Sequence, residues 1–168
     1  MPNPNKRIVI IGGVAAGTKS AAKARRQDPH AEITLFTGEE YISYAGCGQP
    51  YYIGGEVQQR SQLLARTPAQ FQQGQNITIH TRHQAMRIDP RARTVEVLDL
   101  ATNQTRTVPY DALVIATGAA PIVPSLPGTG LPGVYVIRTI PVVDEIRGRL
   151  DQGLVKQAVV VGGGYIGL

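Results

Sequence analysis

The sequence predicts a three-layer α/β fold, a parallel sheet with helices plus an antiparallel β-meander, followed by the first strand of a second α/β unit at the C-terminus. Three observations predict it. A short apolar strand runs straight into a glycine turn and a helix near the N-terminus. Between residues 83 and 109, three segments of strand character are separated by turn residues. After Lys156 the strand-and-glycine pattern returns. With 168 residues, 42% hydrophobic and 17% charged, the chain has the make-up of a soluble globular protein.

Arg7 to Ile11 is rich in β-branched residues and reads as a strand buried on both faces. Gly12-Gly13-Val14-Ala15-Ala16-Gly17 follows, then a helix-forming run from Thr18 to Gln27. Strand, glycine turn and helix are the setting in which G-x-G-x-x-G binds a dinucleotide. Gly12 permits the tight turn, Gly17 lets helix and strand approach, and the amides at the helix start hold a pyrophosphate. Val14 stands in the place of the middle glycine. The next strand, Glu32 to Thr37, ends on Thr37 where an acid would bind ribose hydroxyls; Thr37 or the nearby Glu39 and Glu40 are the substitutes.

On the first helix, Lys19, Lys23 and Arg26 are spaced i, i+4, i+7 and share one face, with Arg25 off that stripe. Either they form a solvated basic face or they are a ridge that binds phosphate. The net charge of +5 suits an anionic partner. Nucleic acid is one such partner, but with 5% aromatic residues and no nucleic-acid-binding motif a polyphosphate small molecule fits at least as well.

Tyr41 to Gly55 holds Cys47, the single cysteine of the chain. Gly48 and Pro50 can open a short helical turn after it, and a cysteine at a helix N-terminus is favoured as thiolate. The plainer alternative is a buried cysteine packing as a small hydrophobe. One cysteine builds no internal disulfide framework, so the cytoplasm is the expected location. No apolar run is long enough to span a bilayer, and no signal-peptide pattern opens the sequence.

Thr67-Pro68 caps and starts a helix running to about Gly74. Ile77 to Thr81 reads as a strand, and 83–89, 93–100 and 105–109 as an antiparallel meander. His80 and His83 are expected on surface strand or loop, with no metal-ligand cluster around them. Asp111 to Ala116 is another buried strand, ending in Thr117-Gly118 at the sheet edge where ligands bind in open α/β folds. Residues 121–133 are a proline- and glycine-rich connection, Val134 to Arg138 a strand, and Asp144 to Gln152 a helix closed by Gly153. Lys156 to Val161 is a strand leading into Gly162-Gly163-Gly164-Tyr165-Ile166-Gly167, now a complete G-x-G-x-x-G. The domains expected are therefore 1–120 for nucleotide and cysteine, 121–155 as connection and helix, and 156–168 as the start of a second nucleotide-binding domain cut from a longer protein.

These residues resemble the N-terminal part of flavin-dependent pyridine nucleotide-disulfide oxidoreductases, and within them the single-cysteine branch. That branch holds coenzyme A-disulfide reductases, NADH oxidases, NADH peroxidases and coenzyme A-persulfide reductases. The most specific stretch is Ser43-Tyr44-Ala45-Gly46-Cys47-Gly48-Gln49-Pro50-Tyr51-Tyr52-Ile53-Gly54-Gly55, similar to the family's Ser-Phe-Ala-Asn-Cys-Gly-x-Pro-Tyr-Tyr-Ile-Gly-Gly. The resemblance implies a Rossmann-like FAD-binding domain. Gly12, Gly13, Val14, Ala15, Ala16 and Gly17 would lie at the pyrophosphate, Thr37 near the ribose, Ala85 on the adenine side, and Thr117 and Gly118 along the same cleft. Gly162, Gly164 and Gly167 would begin the NAD(P)H site.

Cys47 would be the redox cysteine, with Lys19, Lys23, Arg26, Ser43 and Gly46 around the substrate, coenzyme A disulfide or a related thiol or persulfide. Gly46 replaces an asparagine, Gln75 a lysine and Thr37 a glutamate of the family pattern. The activity implied is NAD(P)H-driven reduction, through FAD, of a mixed disulfide between Cys47 and coenzyme A. The alternatives are an NADH oxidase or peroxidase cycling Cys47 through sulfenic acid, a coenzyme A-persulfide reductase, and a nucleotide-binding fragment without turnover of its own. The parent protein is expected to be a homodimer that binds neither nucleic acid nor membrane and carries no metal.

Overall fold

The computed structural model describes residues 6–164 and 167. They group into two compact units, one of the described residues up to Tyr44 and of Arg66–Gly118, the other of Ala45–Ala65 and the described residues from Ala119 onward.

The first unit is built on a four-stranded parallel sheet in the order β3-β2-β1-β7, from β1 (Arg7–Ile11), β2 (Glu32–Phe36), β3 (Ile77–His80) and β7 (Ala112–Ile115). Register runs Ile10 to Leu35 on one side and Ile10 to Val114 on the other. The apolar runs of β1 and β2 face both ways, as a sheet covered on both sides requires. Ile10, Ile33 and Leu35 pack with Ala21 of α1 (Ala15–Gln27) and Phe71 of α3 (Pro68–Gln75). Val9, Ile11 and Phe36 pack on the opposite face with Val95, Val97 and Tyr110. Val95 and Val97 come from the predicted meander, β4 (His83–Asp89), β5 (Thr94–Asp99) and β6 (Gln104–Pro109), paired antiparallel in that order. The three-layer α/β expectation holds in this unit. Thr67 caps α3 as expected: its hydroxyl accepts from the Gln70 amide at 3.3 Å, and the Gln70 side chain accepts from the Thr67 amide.

The second unit contains α2 (Gln49–Gly54) packed against α4 (Ile140–Asp151). Here three expectations are corrected. The helix expected from Asp144 begins a turn earlier, at Ile140, with Thr139 at its N-cap and Pro141 in the first turn. Val134–Arg138 is not a strand, and neither is Lys156–Val161. β-Branched composition favours a strand only when a neighbour supplies the ladder. Among the described residues none pairs with either segment, and Val159 and Val161 are 88% and 90% exposed. No helix of the described residues is long and apolar enough to cross a membrane.

A further correction concerns His80 and His83. They form a half-buried stack, not bare surface: His80 lies parallel to Phe36 with centroids 5.1 Å apart, and His83 lies 5.0 Å from His80. The Arg106 guanidinium covers Phe36 at 5.3 Å. Burial, then the charge of Arg106, pushes the His80 pKa down.

Candidate nucleotide cradle and cysteine turn

In the first unit, the turn after β1 brings the predicted glycines to the carboxyl edge of the parallel sheet. Gly12 has φ +111°, and a Cβ on it would strike the Ala116 carbonyl of the neighbouring strand end. A Cβ on Gly17 would strike the Gly12 carbonyl, so the helix can approach β1 only with glycine there. Gly13 faces Thr37 and Ile42, whose methyls lie 2.9 and 2.8 Å from where its Cβ would stand. The Ser43 amide donates to the Gly13 carbonyl at 2.9 Å, with Ser43 itself at φ +49°. Gly12, Gly13, Gly17, Thr37, Ser43 and Ala116, the residue before Thr117 and Gly118, therefore gather around one turn.

At its N-terminus α1 has no side-chain cap and no acidic residue in its first turn. Its leading amides point out of the glycine turn with the positive end of the helix dipole behind them. This donor set fits a diphosphate. Thr37, 7% exposed, directly follows β2; its hydroxyl accepts from the Glu39 amide at 3.3 Å and keeps its own proton for a ligand. Ala85 sits in β4 opposite Val97, next to an irregularity in the register.

Lys19, Lys23 and Arg26 are exposed along α1, while Gly17, Thr18 and Ala21 form its buried side. Arg25 is different in kind. Its guanidinium donates to the carbonyls of Gln75, Pro29 and Asn76 at 2.9, 2.7 and 2.8 Å, fastening α1 to the end of α3. The i, i+4, i+7 spacing thus separated the solvent-facing cations from the structural one. Gln75 Oε1 is buried without a hydrogen-bond partner among the described residues.

Gly46 and Cys47 belong to the second unit. The sequence placed Cys47 before a helical turn; it stands within one, the 3-10 turn Gly46–Gly48, whose last residue is the N-cap of α2. The thiol is free and exposed, which excludes the buried-cysteine alternative. Below it, the Ala45 amide donates to the Leu63 carbonyl at 2.8 Å, and Leu63 Cδ2 stands 2.8 Å from where a Gly48 Cβ would be.

Sequence reasoning missed what holds α2. The Tyr52 hydroxyl donates to Asp144 Oδ1 at 3.0 Å, and Arg60 donates to Asp144 Oδ2 at 3.0 Å. Arg147 donates to the Tyr52 carbonyl at 2.9 Å and to Asp151 at 2.8 Å. Gln49, 3% exposed, donates to the Arg138 carbonyl at 3.2 Å. Burial, then the bond to Asp144, raises the Tyr52 pKa. The i, i+3 spacing of Asp144 and Arg147 on one helix face was the available signal.

The second glycine motif repeats the first. Gly162 has φ +114°, and a Cβ on Gly167 would strike the Gly162 carbonyl just as Gly17 would strike that of Gly12. Gly164 lies between them with open space around its Cα. Tyr165 and Ile166 fall outside the described residues.

Comparison with known proteins gives the family and the fold. The family model for pyridine nucleotide-disulphide oxidoreductase matches residues 6–168. A coenzyme A disulfide reductase of Staphylococcus haemolyticus is 36% identical over 163 residues, 97% of this chain and 36% of that protein. The crystal structure of reduced Bacillus anthracis CoADR-RHD superposes with a TM-score of 0.93 at 37% identity, over 97% of this chain and 29% of that one. A water-forming NADH oxidase from Lactobacillus brevis, bound to NADH, gives 0.88 at 29% identity, over 97% of this chain and 36% of that one. The chain thus spans about a third of the length of the curated relatives it matches.

Proposed function

The chain belongs to the pyridine nucleotide-disulphide oxidoreductase family, and on that premise we propose that it forms the flavin- and cysteine-bearing part of an NAD(P)H-dependent coenzyme A-disulfide reductase. The observation that carries this reading is Cys47: one exposed thiol, at the start of a helix, in a chain with no second cysteine to pair with. Its redox partner lies outside these 168 residues.

In this reading the α1 amides and Gly12–Gly17 hold the FAD diphosphate, Thr37 reaches a ribose hydroxyl, and Ala85, Thr117 and Gly118 border the rest of the cofactor. Bound there, FAD supplies the relay of two electrons from NAD(P)H to sulfur. Gly162, Gly164 and Gly167 take the NAD(P)H phosphates by the same turn chemistry. The Cys47 thiolate attacks one sulfur of the disulfide, forming a mixed disulfide and releasing one thiolate. Two electrons and a proton then return Cys47 to thiolate and release the second thiol. Lys19, Lys23 and Arg26 attract the substrate's phosphates, with Ser43 and Gly46 nearer its sulfur end. The enzyme is a cytoplasmic homodimer in this reading: a single unpaired cysteine suits a reducing compartment, and dimerisation rests on the family resemblance alone.

Cys47→Ser in the full-length enzyme is expected to abolish disulfide reduction while the protein stays yellow. Unchanged turnover would sink the proposal. The likeness to the Lactobacillus brevis oxidase favours one second reading, in which Cys47 cycles through sulfenic acid. NADH consumption measured in parallel with coenzyme A disulfide, oxygen and peroxide separates the two.

A further inference from the structure

Helix α2 is six residues long, too short to hold its shape in water by its own hydrogen bonds. Yet the Cys47 turn ends on its N-cap, so the position of the thiol is only as definite as that of α2. α4 grips α2 at both ends. At the front, Gln49 is buried and bonded to the Arg138 carbonyl just ahead of α4. In the middle, Tyr52 is bonded to Asp144, which Arg60 also holds. At the back, Arg147 donates to the Tyr52 carbonyl, which also accepts from the Gly55 amide at 3.2 Å, so both bonds close the end of α2. Its guanidinium carbon lies 5.9 Å from the centre of the Tyr52 ring. Gly55, at φ +87°, leaves it room: a Cβ there would stand 3.2 Å from Arg147 Nη1.

We propose that Asp144 and Arg147 of α4, acting through Tyr52, are positioning residues for Cys47: they fix α2 and with it the turn that presents the thiol. The inference rests on the reading of Cys47 as the reacting cysteine. None of these residues touches the sulfur. Their effect is on geometry, and a displacement of about 1 Å costs up to roughly a hundredfold in rate.

The test uses the full-length, FAD-loaded enzyme and the variants Arg147→Met, Asp144→Ala and Asp144→Asn. In single-turnover measurements, NAD(P)H first reduces the enzyme and a disulfide then oxidises it. Arg147→Met and Asp144→Ala are expected to slow the second rate constant about tenfold to a hundredfold, with the first unchanged. Asp144→Asn, whose amide oxygen still accepts from Tyr52, is expected to restore most of it. A readout that needs neither cofactor is the exchange of Cys47 with an aromatic disulfide, in which the thiolate displaces one coloured aryl thiolate and forms a mixed disulfide. Its rate constant should change threefold or more in the two disruptive variants. A purely structural role would lower the amplitude, flavin content or melting temperature and leave these rate constants within twofold of wild type; that result would overturn the proposal. So would an equal fall in both enzymatic steps. Because the exchange is read on Cys47 whatever the physiological substrate, it separates failure of the clamp from failure of the proposed activity, which Cys47→Ser reports.

Discussion

Gly17 has no room for a side chain. A single methyl there meets the Gly12 carbonyl, a backbone atom that cannot rotate away. Gly17→Ala is expected to destabilise the fold by about 3 kcal/mol, as overpacking does, read as a lowered urea midpoint, and to lose flavin. Asp111 works through charge instead. Its carboxylate accepts from the Arg7 side chain at 3.1 and 3.0 Å and from the Arg7 amide at 2.8 Å, which holds its pKa down to about 2. A carboxylate with a lowered folded pKa binds fewer protons folded than unfolded. Its stabilisation is therefore present above about pH 4, the ordinary carboxylate value, and is lost as pH falls from there through about 2. Asp111→Asn should flatten that part of the acid limb in a denaturant-midpoint series. An acid limb identical to wild type would rule the pair out as its cause.

The His80 stack joins β3 to the meander, and its titration runs the same way for a different reason. Burial and the charge of Arg106 favour the neutral ring, so the unfolded chain takes up the proton first. The stack's contribution is complete above the ordinary histidine pKa of 6.5 and declines as pH falls below it. His80→Phe, which keeps the ring and removes the titration, should lessen the loss of stability between pH 7 and 5; an undiminished slope would rule His80 out as its cause. Elements of this kind also show what the sequence made legible. β1, β2 and α1 follow from buried β-branched runs and a glycine turn, because local composition and tertiary environment demand the same thing there; β7 forms as a strand but is not the buried one expected, being half-buried with Ile115 63% exposed. The meander and the α3 cap follow from turn and capping residues. Val134–Arg138 and Lys156–Val161 did not follow: their composition asks for strand, but a strand is a pairing, and the partner is not written in the segment itself. The role of the His80 ring and of the α4 clamp depends on neighbours distant in sequence, such as Tyr52 and Asp144, which no local pattern connects.

Taken whole, the chain offers a diphosphate cradle in one unit and an exposed thiol in the other, and the cradle is the part that can be assayed directly. Incubation of the full-length protein with FAD followed by desalting is expected to leave a visible flavin band, and Gly12→Val, which fills the turn, to abolish it; a full-length wild type that stays colourless would remove the cradle as a flavin site. The glycine turn itself appears twice, and its second copy carries a lesson of its own. Gly162 and Gly167 take up the same backbone shape as Gly12 and Gly17 although the valines ahead of them are exposed and lie in no sheet. In both copies a side chain on the last glycine would meet the carbonyl of the first, so the constraint is set within the loop by two glycines five residues apart. A loop closed in this way leaves its inner positions free to differ, as Val14 in one copy and Gly164 in the other show, and fixes only its two ends.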